Sequence, residues 1–85
     1  MGDRMDFSVA LRALKDGERV AREGWNGKGM WLWLSPGGSV SGIAGDEDAV
    51  MEAQPYIGMR TVQGTWVPWL ASQTDLLAED WVIVR

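Results

Sequence analysis

The chain has 85 residues, an apolar content of 46% and a formal net charge of −4, which indicate one small folded domain over residues 1–85. It contains no histidine and no cysteine, which excludes Ser-His-Asp and Cys-His catalysis, disulfides, and zinc sites built from either residue. The acidic balance disfavours a polymeric nucleic acid partner, because such binding depends on Lys and Arg neutralising phosphates.

The N-terminal residues Met1–Asp6 lack the apolar run of a signal peptide. No stretch approaches the roughly 18 apolar residues that span a bilayer. The absence of cysteine also fits a reducing compartment. We therefore expect a cytoplasmic protein without membrane contact.

The first predicted element is a helix that starts at Asp3 or Asp6 and ends before Gly17. Its apolar residues follow the spacing of one helical face, namely Phe7, Ala10, Leu11 and Leu14. A short strand at Arg19–Arg22 and a glycine-rich turn at residues 23–29 follow. This helix is expected to cover one face of a sheet.

The next strand is apolar on both faces, with Leu32 on one side and Trp31 and Trp33 on the other. Two interpretations fit this pattern. The strand either lies buried between two layers, or the helix covers the leucine side and the tryptophan side meets another subunit or a ligand.

Residues 39–53 are small, acidic and weakly patterned, and they predict an irregular connection with a short helical turn at Asp48–Ala53. The cluster Asp46-Glu47-Asp48 lacks the ligand spacing of a calcium loop, so it indicates a solvated acidic loop.

The C-terminal part predicts strands at Pro55–Thr61 and Thr65–Trp69, a helix at Gln73–Ala78 and a last strand at Trp81–Val84. Pro68 places its strand at a sheet edge or at a strand end. The predicted class is α+β, a small mainly antiparallel sheet with an N-terminal helix and a short C-terminal helix before the last strand.

Ser72 and Asp75 have the spacing of a capping box, which places free backbone N–H groups and the positive end of a helix dipole beside Trp66, Trp69 and Trp81. Donors beside aromatic faces suit a small, planar, anionic molecule such as a nucleotide. The simpler interpretation is a capped helix whose neighbouring tryptophans fill a core, and the local pattern alone favours it.

Six tryptophans are more than a core of this size easily encloses, so some are expected at a subunit interface or a ligand site. Trp25 lies in the glycine-rich turn, where it is better placed to stack on a ligand than to fill a core. Lys28 in the same turn can pair with a phosphate, although exposed lysines commonly serve only solubility.

Catalysis is disfavoured. Ser72 has no histidine to activate it, and Glu79 and Asp80 are adjacent residues that point in different directions. Neither a P-loop nor a dinucleotide-binding loop is present. We therefore expect binding without turnover, with no catalytic residue, no metal and no cofactor.

Two segments carry a resemblance to a known family, Gly24–Met30 and Pro68–Trp81. Together with the opening helix and Val20–Arg22, they resemble the second Thoeris anti-defence family of phage proteins. The likeness covers most of the chain except roughly Ser35–Gln54.

The resemblance implies a sponge that binds, without cleaving it, a cyclic ADP-ribose isomer used as an immune signal, with some members also holding cyclic oligonucleotides. It implies a homo-oligomer, commonly a tetramer, with pockets between protomers. The implied ligand-binding residues are Trp25, Asn26, Lys28 and Met30 in the first segment and Trp69, Ser72, Gln73, Thr74 and Asp75 in the second. A protein–protein inhibitor of a defence enzyme and an enzyme that degrades the signal are the alternatives.

Overall fold

The fold is α+β, as the sequence predicts. The computed structural model describes residues 4–25, 28–42 and 45–85. In chain order, the elements in these ranges are α1 (Phe7–Lys15), β1 (Arg19–Arg22), β2 (Trp31–Ser35), β3 (Gly38–Ser41), β4 (Val50–Ala53), β5 (Tyr56–Arg60), β6 (Trp66–Pro68), α2 (Gln73–Leu77) and β7 (Trp81–Val84).

Five of the strands form one sheet in the order β6-β5-β2-β1-β7, and each neighbouring pair is antiparallel. The strand β6 lies at one edge, which confirms the position predicted for Pro68, since proline lacks the N–H that an inner strand needs. At the other edge, Met5 exchanges two backbone hydrogen bonds with Trp81, at 2.8 and 3.1 Å.

Helix α1 begins where Asp6 caps it, because the Asp6 carboxylate accepts a hydrogen bond of 3.1 Å from the backbone N–H of Val9. It ends before Gly17, which adopts a φ of +91° that glycine tolerates best. Ala10 and Leu14 are fully buried on the face that packs against β1, β2 and β7. The apolar spacing in the sequence is therefore that of a sheet-covering helix.

The core lies between α1 and the sheet. Its largest fully buried side chains are Trp81, Leu14, Leu32 and Val20. Val20 and Leu32 are paired across β1 and β2, so they present neighbouring side chains to the helix. Burial of these apolar side chains is the main favourable contribution to folding.

The prediction for residues 39–53 is wrong. Instead of an irregular connection with a helical turn, β3 and β4 form a separate two-stranded antiparallel sheet, in which Gly38 pairs with Ala53 and Ser41 with Val50. All four residues of β4 are exposed, so its sequence lacks the alternation of apolar and polar residues that marks a half-buried strand. Val50 is 67% exposed and Met51 is 52% exposed, so both sides of β4 present apolar groups to solvent.

The second face of the five-stranded sheet carries three tryptophans, Trp31, Trp33 and Trp66, which we call the tryptophan face. The ring of Trp66 lies 6.0 Å from that of Trp31 and 6.3 Å from that of Trp33. Gly58 makes this arrangement possible, because a Cβ at that position would collide with the Trp66 ring. Both described helices lie against the opposite, core-facing side.

In the ranges that the structure describes, neither helix is long and apolar enough to cross a membrane.

Candidate functional site

The candidate site lies where the end of β1, the following turn and α2 meet. Register brings these segments together, since Arg22 at the end of β1 pairs with Trp81 at the start of β7. The backbone N–H of Glu23 then donates to the carbonyl of Asp80 at 3.0 Å. The turn that follows β1 is thus held beside the chain that leads out of α2.

Arg22 binds two carboxylates at this point. Its Nε donates to Asp80 Oδ1 and its Nη1 to Asp75 Oδ1, both at 2.9 Å. The three side chains, which we call the Arg22 junction, are only 15–26% exposed. Such partly buried, charge-assisted hydrogen bonds are stronger than those of exposed ion pairs.

The capping box predicted from the sequence is present. The Ser72 hydroxyl accepts a hydrogen bond from the backbone N–H of Asp75 at 3.0 Å, and Asp75 Oδ2 accepts one from the backbone N–H of Ser72 at 3.5 Å. The helix it starts spans only five residues, from Gln73 to Leu77. Since the helix dipole grows with the number of aligned peptide units, α2 stabilises a bound anion less than a longer helix would.

Aromatic rings pack around the fully buried Trp81. Trp25 meets it edge-on, with ring centroids 5.4 Å apart and an angle of 80° between the planes. Trp69 also meets Trp81 edge-on, on another side of the ring, with centroids 5.9 Å apart and an angle of 85° between the planes. Trp81 Nε1 donates to the carbonyl of Asp75 at 3.0 Å, so this ring also fixes α2 against the sheet.

Trp25 contributes more to the core than its position in a glycine-rich turn predicts. Its ring is partly buried against the core cluster, and its Nε1 donates to Asp75 Oδ1 at 3.3 Å. Because the same oxygen also binds Arg22, the tryptophan is held at the Arg22 junction. The partly exposed remainder of the ring is what a ligand could contact.

The junction alters the pKa values of its carboxyls. Partial burial of Asp75 acts to raise its pKa, but hydrogen bonds from Arg22, Trp25 and Ser72 outweigh burial and the pKa lies below its usual value. The hydrogen bond from Arg22 is the main cause that lowers the pKa of Asp80. Arg22 in turn has a raised pKa, owing first to Asp80 and then to Asp75. All three groups are charged at neutral pH.

These shifts predict a dependence of stability on pH. A lowered pKa in the folded state contributes stability that is present above the unfolded pKa of about 3.8 and is lost as the pH falls through the folded value. An Asp80→Asn variant should therefore have a lower midpoint of thermal unfolding than the native chain above about pH 5, and the difference should shrink below about pH 4. Melting curves between pH 7 and pH 2 test this.

Glu79→Gln is the matched control for that experiment, because the exposed side chain next to Asp80 takes no part in the Arg22 junction. Its midpoint should follow the native curve at every pH. A difference in unfolding midpoint between Asp80→Asn and the native chain that stays constant from pH 7 to pH 2 would show that ionisation of Asp80 does not stabilise the fold.

The structure brings together some of the predicted site residues and separates others. Trp25, Trp69, Ser72 and Asp75 lie around α2 and Trp81. Gln73 and Thr74 are exposed at the first turn of α2, Lys28 is exposed, and Met30 is partly buried before β2. Asn26 lies outside the described residues.

Trp66 does not flank the start of α2. It lies on the tryptophan face, where its Nε1 donates to the Tyr56 hydroxyl at 3.0 Å. The reason is strand register: Trp66 pairs with Arg60, which pairs with Trp31, so the three side chains share the side of the sheet opposite the core.

Arg22 and Asp80 were missed by the sequence interpretation. Arg22 is separated from Asp75 and Asp80 by 53 and 58 positions. No local spacing can reveal such an ion pair. An arginine at the end of a short strand is ordinarily a solvated residue.

The arrangement is suited to binding. The carboxylates of Asp75 and Asp80 are both bound to Arg22 and kept ionised, which makes them poor general acids at neutral pH. In the described residues, no three side chains of His, Cys, Asp or Glu come together as metal ligands. An open groove of about 270 Å³ on the exposed side of α1 is lined by Ser8, Leu11, Arg12 and Lys15, none of which is a predicted site residue.

Comparison with known proteins gives two concordant results. Residues 5–84 match the model of the Thoeris anti-defense 2-like domain. The chain is also 39% identical, over 88 aligned positions that cover 99% of both proteins, to a Bacillus phage SP01 protein named Thoeris anti-defense 2. These matches confirm the resemblance carried by the two motif segments.

Proposed function

The chain belongs to the Thoeris anti-defense 2-like family, and on that premise we propose that it is a phage-type anti-defence protein that sequesters a small cyclic nucleotide signal without cleaving it. The proposed ligand is a cyclic ADP-ribose isomer, with cyclic oligonucleotides as further candidates. The protein acts in the cytoplasm of the bacterial host, where such a signal is made.

One observation carries the proposal. Two partly exposed indoles, Trp25 and Trp69, bracket the buried Trp81 next to the exposed polar residues at the start of α2. Flat aromatic faces bind the base of a nucleotide by stacking, and neighbouring hydroxyl and amide groups bind its sugar and phosphates. The residues proposed for this second role are Ser72, Gln73 and Thr74.

The charges at the site are compatible with an anionic ligand. Asp75 and Asp80 would repel phosphates if they were free, but both are bound to the guanidinium of Arg22. These three groups together keep a net charge of −1, which the positive charge of Lys28, exposed in the turn after Trp25, offsets. A small anion requires only a few such local groups, whereas a polymeric nucleic acid requires a basic surface.

We propose further that the protein is a homo-oligomer, with four copies as in the commonest assembly of the resembling family. The support is the tryptophan face, which no described helix covers and on which Trp66 is 41% exposed. A sheet face that presents three indoles is more apolar than the surface of an ordinary monomer.

The deciding experiment is calorimetric titration with a panel of cyclic ADP-ribose isomers and cyclic di- and trinucleotides. The complex is then heat-denatured and the released nucleotide identified. Release of the intact ligand supports sequestration. Release of a cleaved product would show that the protein is an enzyme, and no binding across the panel would reject the proposed ligand class.

Substitution of Trp25 tests the stacking contact. Trp25→Ala should weaken ligand binding by about 1–3 kcal/mol if the ring stacks on a base. Because this ring also packs against the core, Trp25→Phe is included to retain an aromatic side chain. Val62→Ala, at an exposed position in the β5–β6 turn, is the control and should bind like the native chain. Unchanged affinity in a folded Trp25→Ala protein would show that Trp25 does not contact the ligand.

A protein–protein inhibitor is the second candidate, because Leu70, before α2, is 92% exposed and Leu77, the last residue of α2, is 76% exposed. Apolar side chains so exposed suit docking on a defence enzyme. Size-exclusion chromatography of the protein alone separates the two proposals. A monomer with an open tryptophan face favours docking, and a defined oligomer favours the sponge.

A further inference from the structure

We infer that Arg22 is a positioning residue, which fixes the Trp25 ring against α2 before any ligand arrives by binding the carboxylates of Asp75 and Asp80. The effect on ligand affinity rests on the proposed function. The fixing of the ring is a property of the free protein and can be measured separately.

The geometry ties both the side chain and the backbone near Trp25 to one guanidinium. Asp75 Oδ1 accepts from Trp25 Nε1 at 3.3 Å and from Arg22 Nη1 at 2.9 Å, so the oxygen that holds the ring is itself held by Arg22. Asp80 binds Arg22 Nε through Oδ1 and the backbone N–H of Gly24 through Oδ2, the latter at 2.8 Å. Gly24 immediately precedes Trp25 in the chain.

The residue types at these positions fit this role. Arginine presents a planar fork whose separate nitrogens reach two carboxylates at once, whereas the single ammonium of lysine does not reproduce that geometry. Gly24 lets the carboxylate approach, since a Cβ there would lie 2.8 Å from Asp80 Oδ2. Any other residue would push Asp80 away from the N–H that it binds.

Fixing the ring matters because the turn after β1 is rich in glycine. Glycine permits many backbone conformations, so an unanchored Trp25 would sample many orientations. A ligand would then have to order the ring on binding, and the loss of side-chain and loop freedom would reduce its affinity. The Arg22 junction removes that loss in advance, because the ring is already immobilised in the folded protein.

The first measurement concerns the free protein. The exchange rate of the Trp25 indole N–H with solvent is followed by NMR, after its signal among the six tryptophans is assigned with a Trp25→Phe variant. Arg22→Gln should speed this exchange by about tenfold or more, because Asp75 is then free to leave the indole. Arg22→Lys keeps the charge but should also speed the exchange, and it remains informative if Arg22→Gln does not fold.

Arg4→Gln is the matched control. It removes the same charge and breaks an ion pair of 2.9 Å with Glu23, in the same turn, but both side chains are at least half exposed. Neither side chain binds the carboxylate of Asp75 or Asp80; Glu23 reaches Asp80 only through a backbone hydrogen bond, which the substitution leaves in place. The Trp25 exchange rate should stay within about twofold of the native value, as expected for an exposed pair of little energetic weight.

The second measurement is calorimetric titration of these variants with the cyclic ADP-ribose isomers. Arg22→Gln and Arg22→Lys should bind about tenfold more weakly than the native chain, and Arg4→Gln should bind alike. Faster indole exchange with unchanged affinity, or unchanged exchange in both Arg22 variants, would overturn the inference. If the native chain binds none of the isomers, the proposed function fails, while the exchange rates still decide whether Arg22 fixes the ring.

Discussion

Trp81→Ala is expected to lower the free energy of unfolding by about 3–5 kcal/mol, the usual cost of removing a large buried aromatic side chain. Trp81 is fully buried and contacts the rings of Phe7, Trp25 and Trp69. Its indole N–H also binds the carbonyl of Asp75, so the variant loses the link between the core and α2. A chain of this length has a total stability of only about 4–13 kcal/mol. Urea titration followed by circular dichroism measures the loss.

Two further variants separate packing from hydrogen bonding in that experiment. Trp81→Phe keeps most of the ring volume but leaves the Asp75 carbonyl without its indole partner, so it should lose less than Trp81→Ala. Leu77→Ala, at a side chain that is 76% exposed, should change stability by no more than about 0.5 kcal/mol. A Trp81→Ala protein as stable as Leu77→Ala would contradict the central place of Trp81 in the core.

Trp33→Glu is expected to convert the proposed oligomer into a monomer. Trp33 lies on the tryptophan face in β2, the central strand of the sheet, which pairs with β1 on one side and with β5 on the other. A carboxylate enclosed between indoles in an interface costs several kcal/mol relative to the same group hydrated in a monomer. Arg19, whose guanidinium lies 5.0 Å from the Trp31 ring on this face, offsets part of that cost. Sedimentation at several protein concentrations gives the mass of each species.

Leu77→Glu introduces the same charge at an exposed apolar position on α2, outside the tryptophan face, and serves as the control. It should keep the mass of the native protein. If Trp33→Glu retains the native oligomer, the tryptophan face is not the interface between copies. A native chain that is already monomeric at all concentrations would reject the proposed assembly itself.

Periodic patterns predicted the fold class and most elements, because they follow from local physics. The spacing of Ala10 and Leu14 gave α1, and Asp6 marked its start. The alternation along β2 correctly placed Leu32 in the core and Trp31 and Trp33 on the other side. Where such a pattern was absent, as in β3 and β4, the prediction was wrong.

The candidate site was only partly predictable, since its contacts join residues far apart in the chain. The Ser72–Asp75 capping box has a local spacing and was confirmed. The side of the sheet on which Trp66 lies depends on its pairing with Arg60, which the sequence does not reveal. Arg22 acquires its role only through carboxylates more than 50 positions away.

The β3–β4 hairpin carries the net charge of the protein. Residues 38–53 contain four acidic residues, Asp46, Glu47, Asp48 and Glu52, and no basic one. The rest of the chain has 12 − 4 = 8 acidic residues against 8 basic ones, so the whole net charge of −4 resides in this hairpin. The negative charge of the hairpin therefore opposes association through its exposed apolar side chains. A chain without the hairpin would be formally neutral at pH 7, a condition that promotes precipitation.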